Sequence, residues 1–245
     1  MTLAVSFALA ITLLASPELA ATRRSEGEPK PAGSQTSEAG NFPATIRVMP
    51  GSPARVELTN TGNQPITAWS FTVSTPTATG VHREAHAADV YLSEVTGNLP
   101  GAPPHLDRIM PGQSRALPVD AAGGDATAQI TALILQDGTG LGDAAALKTF
   151  FDRRVAERDQ LKAVAETFRT VLASKRGTAA LEELQQRLRA GAEDTPHRTA
   201  REAVDALLQK AKGGGEDEAD RSVRTYADFV AKQHETAVAH APKKQ

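Results

Sequence analysis

Near residue 137 the spacing of apolar residues changes from every second position to every third or fourth. Period two with frequent Gly and Pro belongs to strands, and period 3.6 with few breakers belongs to helices. The chain therefore reads as a β half over about 44–136 and an α half over about 143–240. Each half needs its own apolar face, and aromatic residues make up only 4% of the 245 residues. Aromatic side chains bury the most surface per residue, so thin cores and modest stability are expected.

In the β half, Ile46 and Val48 alternate with Thr45 and Arg47 before a turn at Pro50-Gly51. Val56 and Leu58 alternate with Arg55, Glu57 and Thr59 before the turn Asn60-Thr61-Gly62-Asn63. Trp69, Phe71 and Val73 then share one face, which marks Trp69 as a core residue rather than a sugar-stacking surface. Further strands are expected at Asp89–Glu94, Ser114–Val119 and Ala126–Leu135; the nearly continuous apolar run Ile130–Leu135 suits a central strand. Short strands punctuated every eight to twelve residues predict an antiparallel sandwich.

The stretch Val56–Val73, with its Asn-x-Gly turn and Pro65-Ile66 opening the next strand, resembles the second and third strands of bacterial extracytoplasmic immunoglobulin-like domains. Pro111-Gly112-Gln113 ahead of a short strand is similar to the same group. The resemblance spans about 70 residues, lies at the level of fold, and brings no functional residues with it. It implies a domain that binds, spaces or scaffolds.

Leu135-Gln-Asp-Gly-Thr-Gly-Leu-Gly-Asp143 joins the halves. Gly138, Gly140 and Gly142 are spaced GxGxG, not as a dinucleotide loop, and no second βαβ unit follows. Asp137, Thr139 and Asp143 lack the carboxylate density of a high-affinity calcium loop. The plainer reading is a tight exit in which glycines permit positive φ and Asp143 caps the next helix.

From Asp143 the stripe Leu147, Phe151, Val155, Arg158, Leu161, Ala165, Phe168, Leu172 steps by three or four residues, predicting one amphipathic helix of about 30 residues. Arg153/Glu157 and Lys162/Glu166 have the spacing of i,i+4 pairs. A second helix carries Leu181, Leu184 and Leu188 after a cap at Gly177-Thr178. A third opens with Thr195 as N-cap and Pro196 as first residue. Gly213-Gly214-Gly215 ends it, and Glu216-Asp217-Glu218 favours a fourth start. The first helix is longer than the sandwich needs, so it projects as one arm of a hairpin or bundle.

A net charge of −2 and mixed charges on every helix disfavour nucleic acid as a partner. The absence of cysteine removes disulfides, thiol catalysis and sulfur-ligated metal. The apolar run Leu3–Ala15, then Pro17 and Ala20-Ala21, reads as a secretory signal peptide, with an uncleaved membrane anchor as the alternative. Residues 22–41 are rich in Ser, Gly, Pro, Glu and Lys and read as a flexible linker.

The metal-like cluster is His82-Arg-Glu84-Ala-His86, with Asp89 close by. On a strand, His82, Glu84 and His86 face one way, so two imidazoles and a carboxylate can converge. The order is not HExxH, no Ser sits in a GxSxG turn, and no acid/base pair is evident from spacing.

The sequence thus predicts a segregated α+β chain: residues 1–21 signal peptide or anchor, 22–41 linker, 42–142 immunoglobulin-like sandwich, 143–241 helical hairpin or bundle. The expected function is a non-catalytic periplasmic or secreted binding or structural module without cofactor, meeting a protein partner or a second copy through its helices. The alternative is a metal protein or metal-dependent enzyme centred on His82, Glu84 and His86.

Overall fold

The computed structural model describes residues 42–49, 51, 53–93, 107–120 and 125–242. It is an α+β chain with the two kinds of structure segregated along the sequence. Seven strands come first: β1 (Ala44–Met49), β2 (Arg55–Asn60), β3 (Ile66–Thr77), β4 (Gly80–Asp89), β5 (Ser114–Pro118), β6 (Thr127–Leu135) and β7 (Gly140–Gly142). Four helices follow: α1 (Ala144–Leu172), α2 (Gly177–Arg189), α3 (Thr195–Ala211) and α4 (Glu216–Ala239). The expected signal peptide and linker, residues 1–41, lie outside the described residues.

The strands form two antiparallel sheets, ordered β1-β2-β5 and β4-β3-β6-β7. Ile46, Val56 and Leu58 from the first meet Trp69, Phe71, Val73, Ile130 and Leu133 from the second in one buried cluster. Trp69 is core, as its shared face with Phe71 and Val73 predicts, and the Arg115 guanidinium lies over its ring at 5.4 Å. A register shift between Ser70 and Phe71 puts an extra β6 residue, Thr131, between Ile130 and Ala132. That bulge explains the continuous apolar run: Ile130 and Leu133 point into the sandwich, while Ala132 and Ile134 serve the opposite face.

The opposite face is covered by α1. Ala68, Ala132 and Ile134 pack against Phe150, with Ala146, Leu147 and Phe151 alongside. Beyond this base α1 leaves the sandwich. At 29 residues it is about 44 Å long, and α4 runs back antiparallel beside it. At the far end, Val164, Phe168 and Val171 join Leu181, Leu184, Leu188, Val204, Val223 and Val230 in a second core shared by all four helices.

Several local expectations shift. The strand expected at Asp89–Glu94 is absent over its described part: Asp89 is the last residue of β4, and Tyr91–Leu92 form a turn. The hinge holds a three-residue strand, β7, paired with β6. Gly138 and Gly142 take positive φ there, as expected, but Gly140 does not. A Cβ on Gly140 would stand 2.9 Å from Leu147 Cδ2 and 3.0 Å from Phe151 Cζ, so this glycine is needed for the close seat of α1.

Asp143 caps α1 as read, accepting from Ala146 N–H at 2.8 Å. The cap of α3 is Asp194, one residue earlier than expected, with Thr195 and Pro196 inside the helix. The start of α2 has no cap of its own. Its first amides are instead capped from α4: Thr178 N–H donates to Glu216 Oε2 at 2.9 Å and Gly177 N–H to Asp220 Oδ1 at 3.3 Å.

Candidate functional site

Three places gather polar side chains. The first is the predicted cluster on β4. Strand alternation puts His82, Glu84 and His86 on one face, opposite Thr75, Val73 and Phe71 of β3. His86 stacks on Phe71 with ring centroids 4.9 Å apart. Its Nε2 is buried 3.2 Å from Glu84 Oε1, without the alignment of a hydrogen bond. His82 is exposed farther along the strand. Asp89 turns away into the junction with α1. Among the described residues no group of three or more His, Asp or Glu side chains is placed to hold a metal ion. The calcium-type oxygens of the hinge are also engaged: Asp137 accepts from Thr139 N–H at 2.9 Å, and Asp143 caps α1.

The second place is the junction, which centres on Arg154 of α1. This arginine has no exposed surface. Its guanidinium makes a two-pronged contact with Asp89, Nε to Oδ2 and Nη2 to Oδ1, both at 2.8 Å. Nη2 also donates to Thr67 Oγ1 on β3 at 3.1 Å, and Nη1 reaches the His240 carbonyl beyond α4 at 3.4 Å. The Tyr91 ring lies 4.6 Å below the guanidinium, and its hydroxyl donates to Glu157 at 2.7 Å. Burial, then the bond to Glu157, pushes the Tyr91 phenol well above its ordinary range. One cation therefore joins β3, the end of β4, α1 and the end of α4. A bidentate pair of this kind fixes orientation as well as distance.

This adds Arg154 to the stripe of α1 and corrects one pair. The stripe passes through Arg154, buried, whereas Arg158 pairs with its neighbour Asp159 near the surface. Glu157 faces Tyr91 rather than Arg153. Sequence reasoning missed Arg154, although its place three residues after Phe151 and seven before Leu161 sets it on the apolar stripe.

The third place is an open groove of about 660 Å³ between α1 and α4 on the outer half of the arm. Ala165, Ala173, Ala227 and Ala231 line it, and Lys162, Glu166, Arg169, Asp228 and Glu235 stand among its walls. It exists because small residues face each other where α2 and α3 do not cover the pair. The groove presents a surface between the two helices, and the junction fixes the base of the arm.

No protein family, no curated protein and no solved structure matches this chain. Among the described residues no helix is long and apolar enough to cross a membrane.

Proposed function

We propose that this protein is a non-catalytic extracytoplasmic binding or structural module, in which the sandwich holds out a rigid helical arm to a protein partner or to another copy. The strand orders β1-β2-β5 and β4-β3-β6-β7 support reading the sandwich as immunoglobulin-like, with the fourth strand added to the second sheet. The apolar run Leu3–Ala15 supports export, with retention as an anchor as the alternative location.

One observation carries the reading. A helix about 44 Å long is locked at its base by the buried Arg154–Asp89 pair, and its outer half presents the alanine-lined groove. Orienting an arm costs a buried ion pair its desolvation, and that expense goes to geometry that a freely hinged bundle would lack. A groove between two helices with a small-residue floor and a charged wall fits a partner's amphipathic helix.

The test is light scattering on the full chain, with bound metal assayed in the same sample, for wild type and for the groove-filling variants Ala173→Trp and Ala231→Trp. Both alanines are exposed, so the fold should survive. Loss of assembly, or of a partner's binding, in the filled variants supports the arm reading. A monomer carrying one metal per chain, lost on His82→Ala, would replace it with the metal-protein alternative.

A further inference from the structure

We infer that the outer edge of β4 is a self-pairing surface: two copies join β4 to β4 antiparallel, about a two-fold axis at Ala85, into one continuous eight-stranded sheet. This goes beyond the helical reading and uses a different surface.

Four strands lie at sheet edges: β1, β5, β4 and β7. β1 and β5 have six and five residues, and β7 has three and lies under α1. β4 is ten residues long, pairs with β3 from Gly80 to Asp89 without a register break, and contains no proline. Among the described residues no backbone hydrogen bond reaches the side of β4 away from β3. Edges are normally blunted by shortness, bulges, proline or charged side chains. β4 is neither short nor bulged and has no proline, and its charges ahead of Asp89 are Arg83 and Glu84. Val81, at its start, is 59% exposed, more than the other large apolar side chains left at the surface among the described residues.

The side chains select a second copy as the occupant. A two-fold axis normal to the sheet keeps each residue on its own face, so the axis must pass through a residue. Centred on Ala85, the pairing spans 81–89 and sets Glu84 against His86 of the other copy, twice. His82 then meets Ala88, Arg83 meets Ala87 and Val81 meets Asp89, so no like charges oppose. Centred on Arg83, that guanidinium faces its own copy. Centred on Glu84, two carboxylates meet and His82 faces His86. Centred on His86, the two imidazoles meet. Directly opposed residues approach to about 5 Å between Cβ atoms, which brings a second carboxylate beside the partly exposed His86 ring, whose Nε2 already lies 3.2 Å from Glu84 of its own chain. Ala85, on the axis, is small and exposed, so two copies can close there.

The chain contains no cysteine, so Ala85→Cys in the full-length protein gives one thiol per molecule. Under mild oxidation it should form a disulfide-linked dimer far faster than Ala163→Cys, an exposed site on α1. Glu84→Lys should weaken the dimer about tenfold or more by light scattering, and adding His86→Glu should restore it. Trp69 fluorescence reports folding in each of these variants, and far-UV circular dichroism does so for Ala231→Trp. A monomeric wild type, or equal cross-linking at 85 and 163, overturns the proposal. If Ala231→Trp abolishes the dimer while Glu84→Lys leaves it intact, self-association belongs to the helices and only the edge pairing falls. The reverse pattern keeps the edge pairing and leaves the groove to another protein.

Discussion

Arg154→Ala would leave the Asp89 carboxylate buried with no cation. Breaking one side of a buried pair costs about 3–5 kcal/mol, and the variant's urea midpoints should fall below that of the wild type. Replacing both residues, Arg154→Met with Asp89→Leu, should recover most of that loss, because the desolvation cost goes with the charges. Asn60 is the other residue of this kind. It is fully buried; its amide donates to the Gln64 and Ile109 carbonyls at 2.8 Å each, and its Oδ1 accepts from Gly62 N–H. Asn60→Ala should cost about 1–3 kcal/mol by stranding those groups. The Asn-x-Gly turn was legible in the sequence because turn chemistry is local. The reach to Ile109, 49 residues on, was not. Arg154 was hidden for a different reason: an arginine is not counted into an apolar stripe until its carboxylate, 65 residues away, is known.

At the scale of elements, the helices follow the sequence closely because their periodicity is strong and their breaks carry Gly, Pro and acidic starts. β4 was missed because GVHREAHAAD has no apolar alternation to read. It is an edge strand whose inward positions are capped by His86 and Glu84 instead of buried aliphatics. The run Val90-Tyr-Leu was the better apolar signal, yet it supplies a turn that brings Tyr91 to Arg154. The hinge glycine Gly142 gives the sharpest substitution. With φ 112°, a Cβ there would stand 2.2 Å from the Thr131 carbonyl oxygen. Gly142→Ala should therefore unseat β7 and the start of α1, lowering the unfolding midpoint more than Gly138→Ala.

The helical region also carries an acid dependence. Lys175 and Arg187 hold Glu183 below its ordinary 4.5, and Arg201 does the same for Glu193. The Thr178 amide lowers Glu216, and Arg224 lowers Asp220. A carboxyl depressed on folding adds stability above its unfolded pKa and loses it as the pH falls through the folded value. Far-UV circular dichroism should thus show the arm weakening below about pH 4. At the alkaline end, burial pushes Tyr226 up to about 12 and Tyr91 higher. Stability present below pH 10 is then lost as the pH rises toward 12, because the unfolded phenols ionise first.

For the whole molecule, two cores are joined by the apolar seat of Phe150 on the sheet and by the polar joint at Arg154. The single tryptophan, Trp69, sits in the sandwich, while helical ellipticity reports the arm. Wild-type unfolding followed by the two signals should coincide if the joint couples the cores. In Arg154→Ala the two transitions should separate, with fluorescence and ellipticity at different urea midpoints.

The last helix also ends where the first begins. The His240 carbonyl touches Arg154, and Gly138 lies beside Ala241. Entrance and exit of the arm are therefore one place, and the tip is a closed return. Tension between Phe42 and Pro242 would run across the base and leave the outer bundle unloaded. The arm then behaves as a side branch of the force path, able to keep its shape while the two ends it hangs between are pulled.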